Sequence, residues 1–265
     1  MFGFVVKRVK AEPKNPYKAE PKNPAKAEPE VLMRCTRNRC FFIVMVCDIL
    51  HLKCVQALAE MHQKDVIQRN NIRDAELLER ILTYIMDNIG QIFSAKKITD
   101  YLKNQGRKVG VETVYSYINA LEEAMVLLTA RRYDIKGKKV LERNEKYFLA
   151  DLGIRYAMLG YSSNDISQML ENVIYMELLR RGFKVYVGKE GEREVDFVAV
   201  KGNEKFYLQV TYLLASEEVL EREYKPLTQI DDNYRKMVIS LDKISRGSVG
   251  GIEWMNLIDF LTKVS

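Results

Sequence analysis

The sequence predicts an α/β (α+β) protein built in two parts. Three observations carry that reading. Between about 72 and 125, three segments repeat apolar residues at helical spacing. Between 126 and 150, two apolar runs flank a Lys-Gly-Lys-Lys turn. Beyond 165, an amphipathic helix is followed by three nearly continuous apolar strands, then a helix and another strand. That order predicts a mixed sheet covered by helices.

The first helix is "AELLERILTYIMDNIG", with Leu78, Ile81, Leu82, Ile85 and Met86 on one face and Gly90 as its stop. Ser94 reads as the cap of a second helix that ends at Gly106. The third, "VETVYSYINALEEAM", puts Val114, Tyr117, Ile118, Leu121 and Met125 on one stripe. "VLLTARRYDI", "KGKK" and "VLERNEKYFLA" then read as strand, turn and strand. Three helices and a β-hairpin make a winged helix, a variant of the helix-turn-helix, over 71–150.

Such a unit can place its last helix in the major groove and its wing on the backbone. The exposed face of the third helix offers Thr113, Tyr115, Ser116 and Asn119, and Lys103, Arg107 and Lys108 lead into it. The wing offers Arg131, Arg132, Lys136, Lys138 and Lys139 as phosphate contacts. Against this, Glu112, Glu122 and Glu123 on the same helix would repel phosphate. The bland alternative is a protein–protein connector, since a fold alone assigns no function.

The second part spans 151–265. "DLGIRYAMLGYSSND" is a bridge, and "DISQMLENVIYMELLRRG" is a helix ending at Gly182. The strands are "FKVYVGK", "EVDFVAV" and "KFYLQVTYLL", then come helix "SEEVLEREYKPLTQI", strand "RKMVISLD" and a closing "GIEWMNLIDFLTKV". The second and third strands form a hairpin around Lys-Gly-Asn-Glu. Asp196 sits inside the second, a costly place for a carboxylate without a partner. Gln209 and Thr211 share one face of the third strand, and Glu171 lies on the preceding helix. Carboxylates clustered this way can hold Mg²⁺, which polarises a phosphodiester and lowers the pKa of a bound water.

At these residues the chain resembles a known family. "EVDFVAV…FYLQVTY", with "ENVIYMELLRRGFKVYVGKEG" before it, resembles the PD-(D/E)XK nuclease-like C-terminal domain of unknown function attached to many prokaryotic AAA-type ATPases. "MHQKDVIQRNNIRDAELLERILTYIMDNIGQIFSAKKITDYL" and "TVYSYINALEEAMVLLTARRYDIKGKKVL…KYFLADLGI" resemble the winged-helix linker of those ATPases, in the archaeal style. The resemblance covers about 61–265. It implies Glu171 as the helix acid, Asp196 as the motif aspartate and Gln209 at the (D/E) position. Thr211 falls at the lysine position and carries no cation. Lys189 and Lys205 are near in sequence, but Lys205 is four residues from Gln209, on the order of 13 Å along a strand. A Walker A motif is absent, so ATP binding through a P-loop in this chain is not expected.

Residues 1–30 repeat KAEPKNP, hold five of the six prolines and carry a net charge of +3, half of the chain's +6. This leader is expected to be disordered. Residues 31–70 are unassigned or a remnant of the ATPase region. Cys35, Cys40, Cys47 and Cys54 surround His51, but their spacing is not that of paired knuckles, so free thiols are preferred to zinc. The apolar run at 40–50 is too short to span a bilayer and contains Asp48. A cytoplasmic protein without a signal peptide or membrane partner is expected.

The leading functional expectation is a degenerate, non-catalytic module that binds DNA or a partner protein such as an intact family ATPase, with no cofactor. The alternatives are an Mg²⁺-dependent DNA endonuclease using Asp196 and Glu171, and a truncated gene product without a role of its own.

Overall fold

The computed structural model describes residues 66–262 except 71, 142–143, 161, 163–164 and 244–246. These fall within one unit, Ile49–Ser265. The KAEPKNP leader, the 31–60 run, the four cysteines and His51 lie outside the described residues.

Helix α1 (Ala75–Asp87) starts where the Asp74 carboxylate accepts from the Leu77 amide, and it buries Leu78, Ile81, Leu82, Ile85 and Met86. Burying each such side chain contributes roughly 1.5–3 kcal/mol. Strand β1 (Ile92–Phe93), α2 (Ala95–Asn104) and α3 (Val111–Glu123) follow. Ser94 occupies the N-cap of α2 but makes no side-chain capping bond. Gly106, after α2, has φ +81°, a conformation that glycine adopts without strain. These helices share one apolar core.

The expected hairpin is divided between two sheets. Strand β2 (Leu127–Ala130) pairs antiparallel with β5 (Glu145–Leu149), and β5 with β1, as a three-stranded sheet ordered β1-β5-β2. The chain then bends at Arg131. Strands β3 (Arg132–Asp134) and β4 (Lys139–Val140) join the edge of a second, eight-stranded sheet. The basic turn of the expected wing therefore caps a sheet edge.

After α4 (Leu152–Leu159), the long α5 (Ile166–Arg180) leads into β6 (Lys184–Glu190), β7 (Arg193–Lys201) and β8 (Glu204–Val210). Helix α6 (Glu217–Thr228), β9 (Arg235–Ser240), β10 (Ser248–Val249), β11 (Ile252–Asn256) and α7 (Leu257–Thr262) complete the chain. The large sheet runs β10-β11-β9-β8-β7-β6-β3-β4, with parallel pairs at β11/β9, β9/β8 and β6/β3. It is the mixed α/β sheet that the sequence predicts. Helices α5 and α7 cover one face and α6 the other. No helix among the described residues is long and apolar enough to cross a membrane.

Candidate functional site: a lysine among three carboxylates

Glu171, Glu194 and Asp196 converge on the ammonium of Lys146. Its Nζ lies 2.6 Å from Glu194 Oε1, 2.8 Å from Glu171 Oε2 and 3.6 Å from Asp196 Oδ1. The Lys146 side chain is only 3% exposed, and those of Asp196 and Glu171 are 10% and 13% exposed. Glu194 is the most open member, at 35%.

Three local features bring these groups together. Lys146 alternates with Tyr147 on β5, and β5 is fixed to α5 by Asn172. The buried Asn172 amide accepts from the Leu149 N–H at 2.8 Å and donates to the Leu149 carbonyl at 2.9 Å. That pair of hydrogen bonds sets Glu171, the preceding residue, against Lys146. The third feature is a β-bulge. Tyr186 pairs with Val198, but Gly188 pairs with Val195, so one residue of β6 faces Asp196 and Phe197 of β7. Val198 and Val195 both lie in the α6-side core, while Phe197 lies in the α5-side core, so the strand's alternation changes phase at Asp196. Bulges of this kind re-aim side chains. Gly188 permits it, since a Cβ there would lie 2.8 Å from the Val195 Cβ.

Opposite Asp196, side chains continue the β7–β8 ladder. The Asp196 N–H donates to Gln209 Oε1 at 3.3 Å, and the Val210 N–H donates to Asp196 Oδ2 at 2.8 Å. Gln209 thus meets the aspartate's backbone. Phe206, Leu208 and Val210 belong to the α5-side core and Tyr207 to the α6-side core, so alternation sets Gln209 and Thr211 with Tyr207. Thr211 is buried, and its N–H donates to the Ile239 carbonyl.

The electrostatics are those of crowded acids. Burial first, then the Asp196 charge, hold the Glu171 carboxyl well above its ordinary range against the pull of Lys146. Burial likewise raises Asp196, opposed by Lys146 and by the Val210 N–H and aided by Glu194 and Glu223. Burial alone would lower Lys146, but Glu171, Asp196 and Glu194 outweigh it and hold the ammonium above its usual value. Among the described residues no set of three or more His, Cys, Asp or Glu side chains is arranged as a metal centre.

Of the residues singled out in the sequence, Glu171 and Asp196 meet, Gln209 borders them, and Thr211 stands apart. Lys146 and Glu194 were missed. The sequence places Glu194 two residues before Asp196, a spacing that could have flagged it. Lys146 carried no such signal, because tertiary contacts bring its strand to α5, the Asn172 clamp and the stacking of Phe148 on Tyr175 among them. Neither Lys189 nor Lys205 fills the place. Lys189 lies on β6, and the nearest acid to Lys205 is Asp232, at 4.0 Å.

The nucleic-acid candidates divide as well. Lys103, Lys108, Thr113, Tyr115, Ser116 and Asn119 are exposed, as are Arg131, Lys136, Lys138 and Lys139. Arg107 is not available in the expected way. Its guanidinium pairs with Asp74 and Glu76 at the start of α1, because that helix end collects carboxylates. Arg132 is half-buried within β3.

Comparison with known proteins adds relatives. A family described as a domain of unknown function (DUF8612) matches residues 52–165, which includes α1 to α4. An uncharacterized protein of Haemophilus influenzae is 34% identical over 197 residues, covering 74% of this chain and 48% of that protein. Uncharacterized protein MJ1544 of Methanocaldococcus jannaschii is 30% identical over 166 residues, covering 61% and 36%. The chain thus spans about half the length, or less, of these relatives. They come from a bacterium and an archaeon, so they assign no archaeal character. The crystal structure of protein VC1899 from Vibrio cholerae aligns with a TM-score of 0.26 at 12% identity, covering 81% of this chain and 54% of that one.

Proposed function

We propose that the chain is a nuclease-like module that acts by binding DNA, without cleaving it. In this reading 71–150 is a winged helix and 151–265 a PD-(D/E)XK-like domain of the AAA-type ATPase lineage. One observation carries the non-catalytic part. The Lys146 ammonium occupies the point on which the three carboxylates converge. A dication drawn to those oxygens would meet a positive charge there. Asp196 Oδ2 and Gln209 Oε1 are already engaged by backbone N–H groups. The DNA contacts in this reading are the open face of α3 and the exposed cations of the β3–β4 turn.

The test is a gel shift with duplex and branched DNA at low salt, paired with incubation in Mg²⁺ or Mn²⁺. The expected result is a shift that weakens steeply with salt, because phosphate contacts release counterions, and no cleavage. Cleavage that disappears in Asp196→Ala would overturn the proposal. Absence of any shift would turn the binding role toward a protein partner, an intact family ATPase being the first to try.

A second reading has its own support. The site holds three carboxylates against one ammonium, and burial keeps Glu171 and Asp196 reluctant to ionise. Bound Mg²⁺ would relieve that excess and supply a Lewis acid. Asp196 and Glu171 would hold it, and Lys146 would stand for the lysine missing at Thr211. In this Mg²⁺-dependent DNA endonuclease, metal binding releases protons from the cluster. Calorimetry in buffers of different ionisation heat reads that release directly.

A further inference from the structure

The α6 side of the large sheet carries an aromatic group that the readings above leave unused. Helix α6 packs over β7, β8, β9 and β11. Beyond it, on β3 and β6, Tyr133 and Tyr186 are half-buried with ring centroids 5.7 Å apart. On β8 and just before β9, Tyr207 and Tyr234 meet edge to face at 6.5 Å, and Tyr234 is 46% exposed. Lys205 joins the two pairs. Its ammonium lies 5.3 Å from the Tyr133 ring and 4.8 Å from those of Tyr207 and Tyr234.

The charges near these rings favour an anion. The exposed β3–β4 turn brings Lys138 close enough for its charge to oppose that of Lys205. Asp232 is the acid nearest Lys205, and it is already shared among the Tyr207 hydroxyl, Lys205 and Lys236. Asp134 is engaged by the Gly137 N–H. The exposed Tyr234 ring and the half-buried Tyr133 and Tyr186 rings, with lysines beside them, fit unpaired bases on a phosphate backbone.

We propose that Tyr133, Tyr186 and Tyr234, with Lys205 and Lys138, form a platform for single-stranded nucleic acid. Bases stack on the tyrosine rings, which the half-buried Lys205 ammonium holds together, while the exposed Lys138 takes a phosphate. Every base has a π-face, so binding is tolerant of sequence. The inference rests on the DNA-binding reading and extends it to a different ligand form; the two share Lys138 of the β3–β4 turn and differ in that the tyrosines replace α3.

The probe is a fluorescein-labelled oligothymidylate of about 20 nucleotides, followed by anisotropy in low salt. The wild type is expected to bind, and Tyr234→Ala and Tyr186→Ala each to weaken binding by about tenfold. Tyr234→Phe is expected to retain binding, since the ring remains. Thermal melts confirm that the variants fold. Tyr115→Ala, on α3, should leave oligothymidylate binding intact. The platform is overturned if the wild type does not bind the oligomer, or if both alanine variants bind as the wild type does. Loss of duplex shifts with oligomer binding preserved would remove the α3 reading alone, and the reverse pattern would remove this one alone.

Discussion

Two buried ion clusters hang from α5, six residues apart, and they are charged in opposite senses. At Glu177 one fully buried carboxylate meets two guanidiniums, with Arg180 Nε at 2.6 Å from Oε2 and Arg181 Nε at 2.6 Å from Oε1. Arg181 also donates to the Phe260 carbonyl and lies over the Phe260 ring, which ties α7 to α5. Burial would raise the Glu177 carboxyl, but the arginine bonds outweigh it and hold it below its ordinary range. At Glu171 one ammonium serves three carboxylates, and the acid is pushed upward. The first arrangement satisfies its charges and does structural work. The second leaves an excess of carboxylates over cations at one buried point.

The largest effect should come from removing the single cation. Lys146→Met leaves three carboxylates facing a buried gap. Breaking a buried pair this way costs about 3–5 kcal/mol. Urea denaturation at neutral pH should show that loss, and it should shrink on acidification as the acids take up protons. Added Mn²⁺ should restore part of it in the variant, with little effect on the wild type. Equal recovery in both proteins would mean that Lys146 does not stand in for a metal.

Gly188→Ala attacks the same cluster through the backbone. The added methyl group would meet Val195 Cβ at 2.8 Å, and both Ile135 and Val198 at 3.0 Å. Overpacking of this kind costs about 1–3 kcal/mol, and here it also strains the bulge that aims Asp196. The melting temperature should fall, and the effect of a following Asp196→Asn should be smaller than in the wild type. Additive effects would show that the bulge and the aspartate are independent.

These two residues also mark where the sequence stopped being legible. Periodicity identified α1 to α3, and apolar runs identified β6 to β9, because burial of one or both faces leaves a pattern in the chain. Glu171 and Asp196 were legible as acids in apolar surroundings. Lys146 was not, since "NEKYFLA" looks the same whether its lysine reaches solvent or turns inward. Its role depends on a contact 25 residues away in sequence. The bulge had only a faint mark, a glycine inside a strand. The split hairpin had none, because "ARRYD" is compatible with either sheet.

Glu177→Gln should cost less than Lys146→Met. The Arg180 side chain is 34% exposed and water can take over part of its solvation. A loss of about 1–2 kcal/mol is expected. Its pH dependence has the usual carboxylate sign. The folded pKa is depressed, so the contribution is present above the unfolded value near 4.5 and lost as pH falls through the folded one. The difference between wild type and variant should therefore vanish in acid. A difference that persists there would locate the effect in packing.

The last effect carries the opposite sign and separates the two clusters most sharply. The folded state holds a proton on Glu171 that an unfolded glutamate, with its pKa near 4.5, has already lost. Stability from this group is complete below that value and declines as pH rises toward the folded pKa. Glutamine keeps an oxygen for the Lys146 ammonium and never ionises. Glu171→Gln should match the wild type near the unfolded value of about 4.5 and exceed its stability increasingly as pH rises toward the folded pKa. Denaturant midpoints across that range would read it. If Glu171→Gln instead destabilises at high pH, the ion pair with Lys146 outweighs the crowding. The Glu171 cluster would then be as well satisfied as the one at Glu177.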